Sequence, residues 1–547
     1  MKRLLLITIL SIFLQNSFSQ TPRYDKTRKG FLVFHPIKTD KQGKIISWIS
    51  EDPAVAYDYV VNKTWQFWDT MRRDINGLPY YMNHQVWRPL NDPRGAGGDQ
   101  FAMALSSWQV LYQYNGSEKV KENMKFIADY YLSHSLSSAD SKWPNIPFPY
   151  NTLIYSGIYD GDMVIGKDST QPDKAGSFGW ELIKLYKITK NDHYLQAAIK
   201  IANTLAMHTT EGDDRNSPLP FKVNVRTGEV GYLKHHISFD EKVGVSSYCS
   251  NFSGTLELFL ALEAMKQGKT NEYRSAFDKI LAWMKEYPMK NNKWGPFFED
   301  IAGWSDTQIN AVTFAKFIME HRALFPEWKS DVKNIFDWVY TKLGNDGWKE
   351  YGVKVVNEQT AYTVPGNSHS ARQAAAELLY ASITGDMSNK ELAIRQLNWA
   401  TYMVDRDGKN NYPRDEVWLT DGYGDYIRHY LNSMAVFPEL APSKTHIVHS
   451  TSIVSQADYA PDFNKKLDND VKLDEFGKVF LYYRTFDNSS TETIRLPSKP
   501  AKVMVSGKEI KEIKDLSQEG WQWQALPKGG VLKINHTSGN AITIYKS

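Results

Sequence analysis

Residues 101–132 read FAMALSSWQVLYQYNGSEKVKENMKFIADYYL. Apolar side chains recur at helical spacing up to Tyr114, stop at Asn115-Gly116, and resume on one face from Val120 to the end of the stretch. An apolar stretch, a Gly/Asn turn and a second amphipathic stretch describe a helical hairpin. The unit recurs. Residues 180–186 are followed by Asn191-Asp192 and 194–206, 255–265 by Gly268 and 273–287, 311–325 by 328–343, and 374–383 by Gly385-Asp386 and 391–404. A single helical stretch over 58–73 precedes them. The first helices begin near residues 99, 178, 253, 308 and 371, with a sixth near Asp425. That spacing is too irregular for a short-period solenoid. It predicts a mainly α fold, an (α/α)6-type toroid of hairpins with long loops on one side; an open helical array is the alternative.

After Pro442 the period changes to two. Val479-Phe480-Leu481-Tyr482-Tyr483, Lys502-Val503-Met504-Val505, Val531-Leu532-Lys533-Ile534 and Ala541-Ile542-Thr543-Ile544-Tyr545 read as strands, with Gly539-Asn540 as a turn. The expected organisation is a signal peptide over 1–19, a toroid over 20–445 and a small C-terminal β-sandwich over 446–547. The signal peptide is read from Lys2-Arg3, the apolar run 4–14 and the small residues Ser17 and Ser19. Cys249 is the only cysteine, so no internal disulfide forms and no lipid-anchor cysteine follows the leader. The expectation is a periplasmic or secreted protein with no membrane span. Beside an apolar helix, Cys249 reads as packing rather than a nucleophile. Of the 547 residues, 42% are apolar and 23% charged, and the net charge is +3, a balance that argues against a nucleic-acid partner.

Polar residues collect just before each inner helix. The entries are Arg94-Gly95-Ala96-Gly97-Gly98-Asp99-Gln100, Lys174-Ala175-Gly176-Ser177, Ser246-Ser247-Tyr248-Cys249-Ser250-Asn251, Ser305-Asp306-Thr307-Gln308, Asn367-Ser368-His369-Ser370-Ala371-Arg372, and Asp421-Gly422-Tyr423-Gly424-Asp425-Tyr426. Capping needs one polar residue per helix, and these entries carry several. In a closed ring they line one cavity, and the helix N-termini favour an anion there. Loop aromatics among polar residues (Trp87, Trp143, Tyr150, Tyr159, Trp294, Trp304, Trp348, Trp418 and Tyr423) suit the apolar faces of a sugar, with about half expected in the core.

Two chemistries suit such a cleft. Hydrolysis uses paired carboxylates, for which Asp99, Asp162, Asp306, Asp421 and Asp425 are available. Elimination from a uronic acid needs a carboxylate partner, a base for the C5 proton and an acid for the leaving oxygen at C4. Asn83, Arg88 and Arg372 are candidates to hold the carboxylate, His84 or His369 to take the proton, and Tyr423 or Tyr426 to assist C4–O cleavage. Tyr150, Asn251 and Asn367, with Asp99, Asp162 and Asp306, complete the expected substrate-binding set. Asn367-x-His369-x-x-Arg372 is the densest cluster, read as a loop Asn with His and Arg on the opening helical turn. No metal signature and no nucleotide-binding loop is present, so neither metal nor cofactor is expected.

The order of leader, helical toroid and C-terminal β domain resembles the exported bacterial polysaccharide-degrading α/α-toroid enzymes. These include uronate-specific polysaccharide lyases, unsaturated-glucuronyl hydrolases and the oligosaccharide dehydratases of ulvan degradation. The resemblance implies a carbon–oxygen lyase that acts on an acidic, ulvan-like oligosaccharide and leaves a 4,5-unsaturated end. A glycoside hydrolase using Asp99, Asp162 or Asp306 is the enzymatic alternative, and a non-catalytic glycan-binding protein the third.

Overall fold

The computed structural model describes residues 35–83, 98–153, 156–162, 164–234, 242–298, 303–411, 424–459 and 477–547, with the short strands Arg23–Tyr24 and Leu32–Val33. Among the described residues, twelve helices of eleven residues or more build the larger part. They are α1 (Pro53–Asp69), α2 (Gly98–Asn115), α3 (Glu118–His134), α4 (Pro172–Thr189), α5 (Asp192–His208), α6 (Ser253–Ala264), α7 (Thr270–Met284), α8 (Gln308–Glu320), α9 (Trp328–Lys342), α10 (Asn367–Thr384), α11 (Lys390–Ala400) and α12 (Tyr426–Val436). The even-numbered helices touch in sequence, α2–α4–α6–α8–α10–α12, and α12 returns to α2. The odd-numbered helices lie outside, α3 to α11 each against the helix before it and α1 against α12. The fold is the expected α/α toroid, and closure by α12 excludes the open array.

Local chemistry explains the helix ends. Asn191 caps α5 by accepting from the His193 amide at 3.1 Å, and Tyr194, Leu195, Ala198, Ile201, Ala202 and Leu205 form its buried stripe. Helix α4 starts at Pro172, earlier than the expected 178. Proline at the first turn is pre-organised for a helix, and the small residues after it are helical. Their role is close packing: a Cβ on Gly176 would lie 1.9 Å from Thr255 Oγ1 of α6, and one on Gly254 would lie 2.7 Å from Ser177 Cα. Elsewhere the ring core is aromatic. Trp108 is fully buried, with Trp65 and Trp68 edge-on to it at 5.0 and 5.2 Å.

Among the described residues nine strands follow: β1 (His446–Ser450), β2 (Val454–Tyr459), β3 (Val479–Thr485), β4 (Ser490–Leu496), β5 (Lys502–Val505), β6 (Lys508–Ile510), β7 (Gly520–Ala525), β8 (Gly530–His536) and β9 (Ala541–Tyr545). They form two antiparallel sheets, β1-β4-β8-β7 and β2-β3-β9-β5-β6. Ile447, Leu481, Tyr483, Ile494, Val503, Leu532 and Ile542 pack between them, which makes the expected β-sandwich.

The sandwich docks on the C-terminal ends of inner helices. His446 stacks on Tyr114 of α2 at 4.1 Å, its Nδ1–H donates to the Tyr114 carbonyl (3.1 Å), and Tyr459 donates to the Gln113 carbonyl (2.5 Å). Gly116 has φ of +64°, and a Cβ there would come within 2.3 Å of the Ala457 carbonyl. The Asn-Gly turn of the first hairpin is therefore also a seat for the second domain. Burial pushes His446 down to about 4, well below its ordinary 6.5, against the opposing pull of the Tyr114 carbonyl and Asp58. Between those values the unfolded chain binds a proton that the folded junction refuses. The stability that His446 contributes is thus complete above about pH 6.5 and falls as pH drops toward 4, by on the order of 3 kcal/mol. Replacing His446 by Phe is expected to flatten the fall in denaturant midpoint between pH 7 and 5. An equal fall in both proteins would contradict this.

Candidate active site at the N-terminal end of the ring

The starts of the inner helices meet in a chain of contacts around the ring. Asn251, before α6, donates to Asp173 on the first turn of α4 (2.8 Å). Ser250 donates to the Trp294 carbonyl, which also accepts from Asn310 of α8 (3.0 Å). Gln308 of α8 accepts from Arg372 of α10 (2.8 Å), and Ser368 of α10 donates to Asp425 at the head of α12 (2.5 Å). Gly424 lies against Gln100 of α2, whose carbonyl would stand 2.7 Å from a Cβ placed on it. Six helix N-termini therefore share one end, opposite the sandwich.

The densest chemistry spans α10 and α12. Asp425 has 1% side-chain exposure and accepts from Arg372, Arg428 (3.3 Å), Ser368 and His429 Nε2 (3.3 Å). Arg428 also donates to Ser106 of α2 (2.5 Å). Burial alone would raise the Asp425 carboxyl, but Arg372, His429 and Arg428 reverse that and hold it well below the usual range. Burial pushes His429 down to about 4 despite the Asp425 carboxylate. His369, 3% exposed and 6.2 Å from the Phe298 ring, is held well below its ordinary value first by burial and then by Arg372. It is a neutral imidazole at neutral pH, next to a fixed positive charge. Ser368, His429 and Asp425 resemble a hydrolase triad only in composition. The serine and the carboxylate both reach His429 Nε2, whereas a relay needs them on opposite ring nitrogens.

Asn367, His369 and Arg372 do come together. Asn367 is the first residue of α10 rather than a loop residue, because Gly366 takes the cap position; its amide donates to the side chain of Asn410 and, at 3.4 Å, to the Asn411 carbonyl. Arg372 is bound to Asp425 and Gln308, so its guanidinium is committed within the protein and not presented to a ligand carboxylate. Tyr426 is placed differently from its expected role. Its hydroxyl pairs with Tyr430 (2.6 Å) and donates to the Ala400 carbonyl (2.7 Å) inside the core, and burial raises it far above the usual phenol range. As the first residue of α12 it points to the outer layer of the ring.

The carboxylates are similarly engaged. Asp162 forms a wholly buried pair with Lys222 (3.1 Å) and accepts from Gln171 (2.6 Å) and the amides of Val164 (2.8 Å) and Ile165 (3.0 Å). Asp306 accepts from the amides of Trp294 (2.7 Å) and Gly295 (2.9 Å) and from the Trp304 indole (2.8 Å). Both fasten loops at the mouth. Tyr150 is buried and its backbone bridges Gly161. Asn83 ends the short helix Tyr80–Asn83 and Asp99 lies in the first turn of α2. His84, Arg88 and Tyr423, with Asp421, Trp87 and Trp418, lie outside the described residues. Cys249 is fully buried, and burial, reinforced by Asp173, pushes its thiol up, as packing requires.

The sequence reading missed Gln308 and Arg428 as partners. The signal for Arg428 was present: Asp425, Arg428 and His429 stand at i, i+3 and i+4 on one helical face. Gln308 had no signal beyond its place in a polar entry, because its partner lies on another helix.

Among the described residues no helix is long and apolar enough to cross a membrane. No family model matches the chain, and no curated protein matches it in sequence. Solved structures do match. Cellobiose 2-epimerase from Spirochaeta thermophila aligns with a TM-score of 0.54 at 13% identity, covering 71% of this chain and 96% of that one. A sugar epimerase from a ruminal bacterium aligns with a TM-score of 0.50 at 11% identity, covering 71% and 98%. At these identities the likeness is one of fold, and nothing in it singles out uronate lyases or ulvan dehydratases: this chain is built on the α/α toroid that those two sugar epimerases share.

Proposed function

We propose that the chain is a carbohydrate-active enzyme that removes a proton from a sugar carbon, and specifically a carbon–oxygen lyase on a uronate-containing oligosaccharide. The observation that carries this reading is His369, a buried neutral imidazole at the N-terminal end of the ring beside Arg372. A base must be unprotonated at working pH to accept a proton from carbon. In the proposed reaction His369 takes the C5 proton. The electron pair forms the C4–C5 double bond, the C4–O bond breaks, and the departing oxygen receives a proton from Tyr423. Arg88 and Asn83 would hold the uronate carboxylate, and an ulvan-like substrate met after export remains part of the proposal. The epimerase fold relatives fit by analogy, since an epimerase too rearranges a carbon centre of a sugar.

Hydrolysis is less well served by the described carboxylates. Asp162 is taken up by Lys222 and backbone amides, Asp306 by the Trp294 and Gly295 amides and the Trp304 indole, and Asp425 by Arg372 and Arg428, so each is engaged within the protein. The test is product mass from uronate oligosaccharides incubated with the purified protein. Loss of one water from an intact oligomer identifies a dehydratase, and chain splitting without water uptake a lyase. Fragments that have gained water would replace this reading with hydrolysis, and unchanged ligand would make the protein a binder.

A further inference from the structure

Of the nine loop aromatics singled out by sequence, six lie among the described residues, and five of those are core. Trp143, Tyr150, Tyr159, Trp294 and Trp348 are all at most 4% exposed, whereas Trp304 is 45% exposed. An exposed indole is ordinarily free to turn, but this one is fixed. Its Nε1–H donates to Asp306 (2.8 Å), and Asp306 is itself anchored by the Trp294 and Gly295 amides. The Tyr248 ring meets it edge-on at 5.0 Å. Gly295, at φ +65°, leaves room for the Tyr248 ring, which a Cβ there would approach to 2.7 Å. The Lys293 ammonium stands 5.0 Å from the indole centroid and 4.8 Å from that of Tyr248, and it donates to the Asp214 carbonyl.

Resting on the carbohydrate reading above, we infer that Trp304 and Lys293 form an outer subsite that takes one anionic pyranose of the oligosaccharide. The indole packs on the apolar face of the ring and the ammonium pairs with its carboxylate. Trp304 lies four positions before the first residue of α8, at the same end of the ring as His369. Three residues lie between it and Gln308, the partner of Arg372, a backbone reach of at most about 14 Å. The exposed indole therefore lies within the length of a short oligosaccharide of Gln308. A rigid aromatic face costs little ordering entropy on binding, and the Asp306 anchor supplies that rigidity.

The test is binding, read by calorimetry with the full chain and independent of turnover. The probes are uronate tetrasaccharides from ulvan and from polygalacturonate, with cellotetraose as the neutral control. Wild type is expected to bind a uronate tetrasaccharide, Trp304→Ala to bind it at least tenfold more weakly, and Trp304→Phe to fall between. Lys293→Met is expected to weaken the uronate probe while leaving any cellotetraose affinity unchanged. Wild-type affinity in Trp304→Ala overturns the subsite and leaves the carbohydrate reading intact. Equal loss for charged and neutral probes in Lys293→Met overturns its anionic character. A wild-type protein that binds none of the three overturns the reading on which the subsite rests.

Discussion

His369→Gln is expected to keep its fold and lose roughly 10²–10⁴-fold in kcat on a uronate oligosaccharide, the range for removing a general base. Glutamine approximates the volume and polarity of the imidazole but has no basic nitrogen. The pH profile carries a second expectation. Burial and Arg372 hold His369 well below its ordinary 6.5. The neutral, active form therefore persists as pH falls through 6.5, and the acid limb of kcat/KM lies below that value. Arg372→Met removes the neighbouring charge and is expected to move that limb upward. A variant with nearly full activity, or an acid limb at 6.5 unmoved by Arg372→Met, would take the proton-transfer role away from His369.

Asp425→Ala is expected to be the most destabilising single change at this end of the ring. It leaves Arg372, 8% exposed in its side chain, buried without a countercharge, and it frees Arg428, Ser368 and His429 together. Breaking such a buried pair from one side costs about 3–5 kcal/mol, whereas removing both partners costs much less. Denaturant midpoints should therefore show Asp425→Ala/Arg372→Met as more stable than Asp425→Ala alone. Additive losses in the double variant would show that the pair does not act as a unit.

The fold was legible because its signals are local and repeated. Asn115-Gly116, Asn191-Asp192 and Gly385-Asp386 punctuate period-3.6 stretches, and the change to period two after Pro442 marks the sandwich. The early start of α4 was less visible, since Gly176 read as loop until Thr255 of the neighbouring helix explained it. The candidate site was legible in part. Asn367, His369 and Arg372 lie within the first two turns of one helix, so sequence spacing grouped them. That Arg372 is spent on Asp425, that Tyr426 turns into the core, and that Asp162 is locked to Lys222 depend on pairings 26 to 60 residues apart, which no local pattern encodes. The aromatics teach the same point: Trp294 and Trp304 sit in one loop and look alike in sequence, yet one is fully buried and the other exposed.

Proton abstraction by His369 is read from the ultraviolet absorbance of the conjugated enoate when wild type and His369→Gln meet uronate oligosaccharides. A steady rise is expected with wild type and almost none with the variant. New reducing ends without any rise in absorbance, or an equal rise in both proteins, would contradict it.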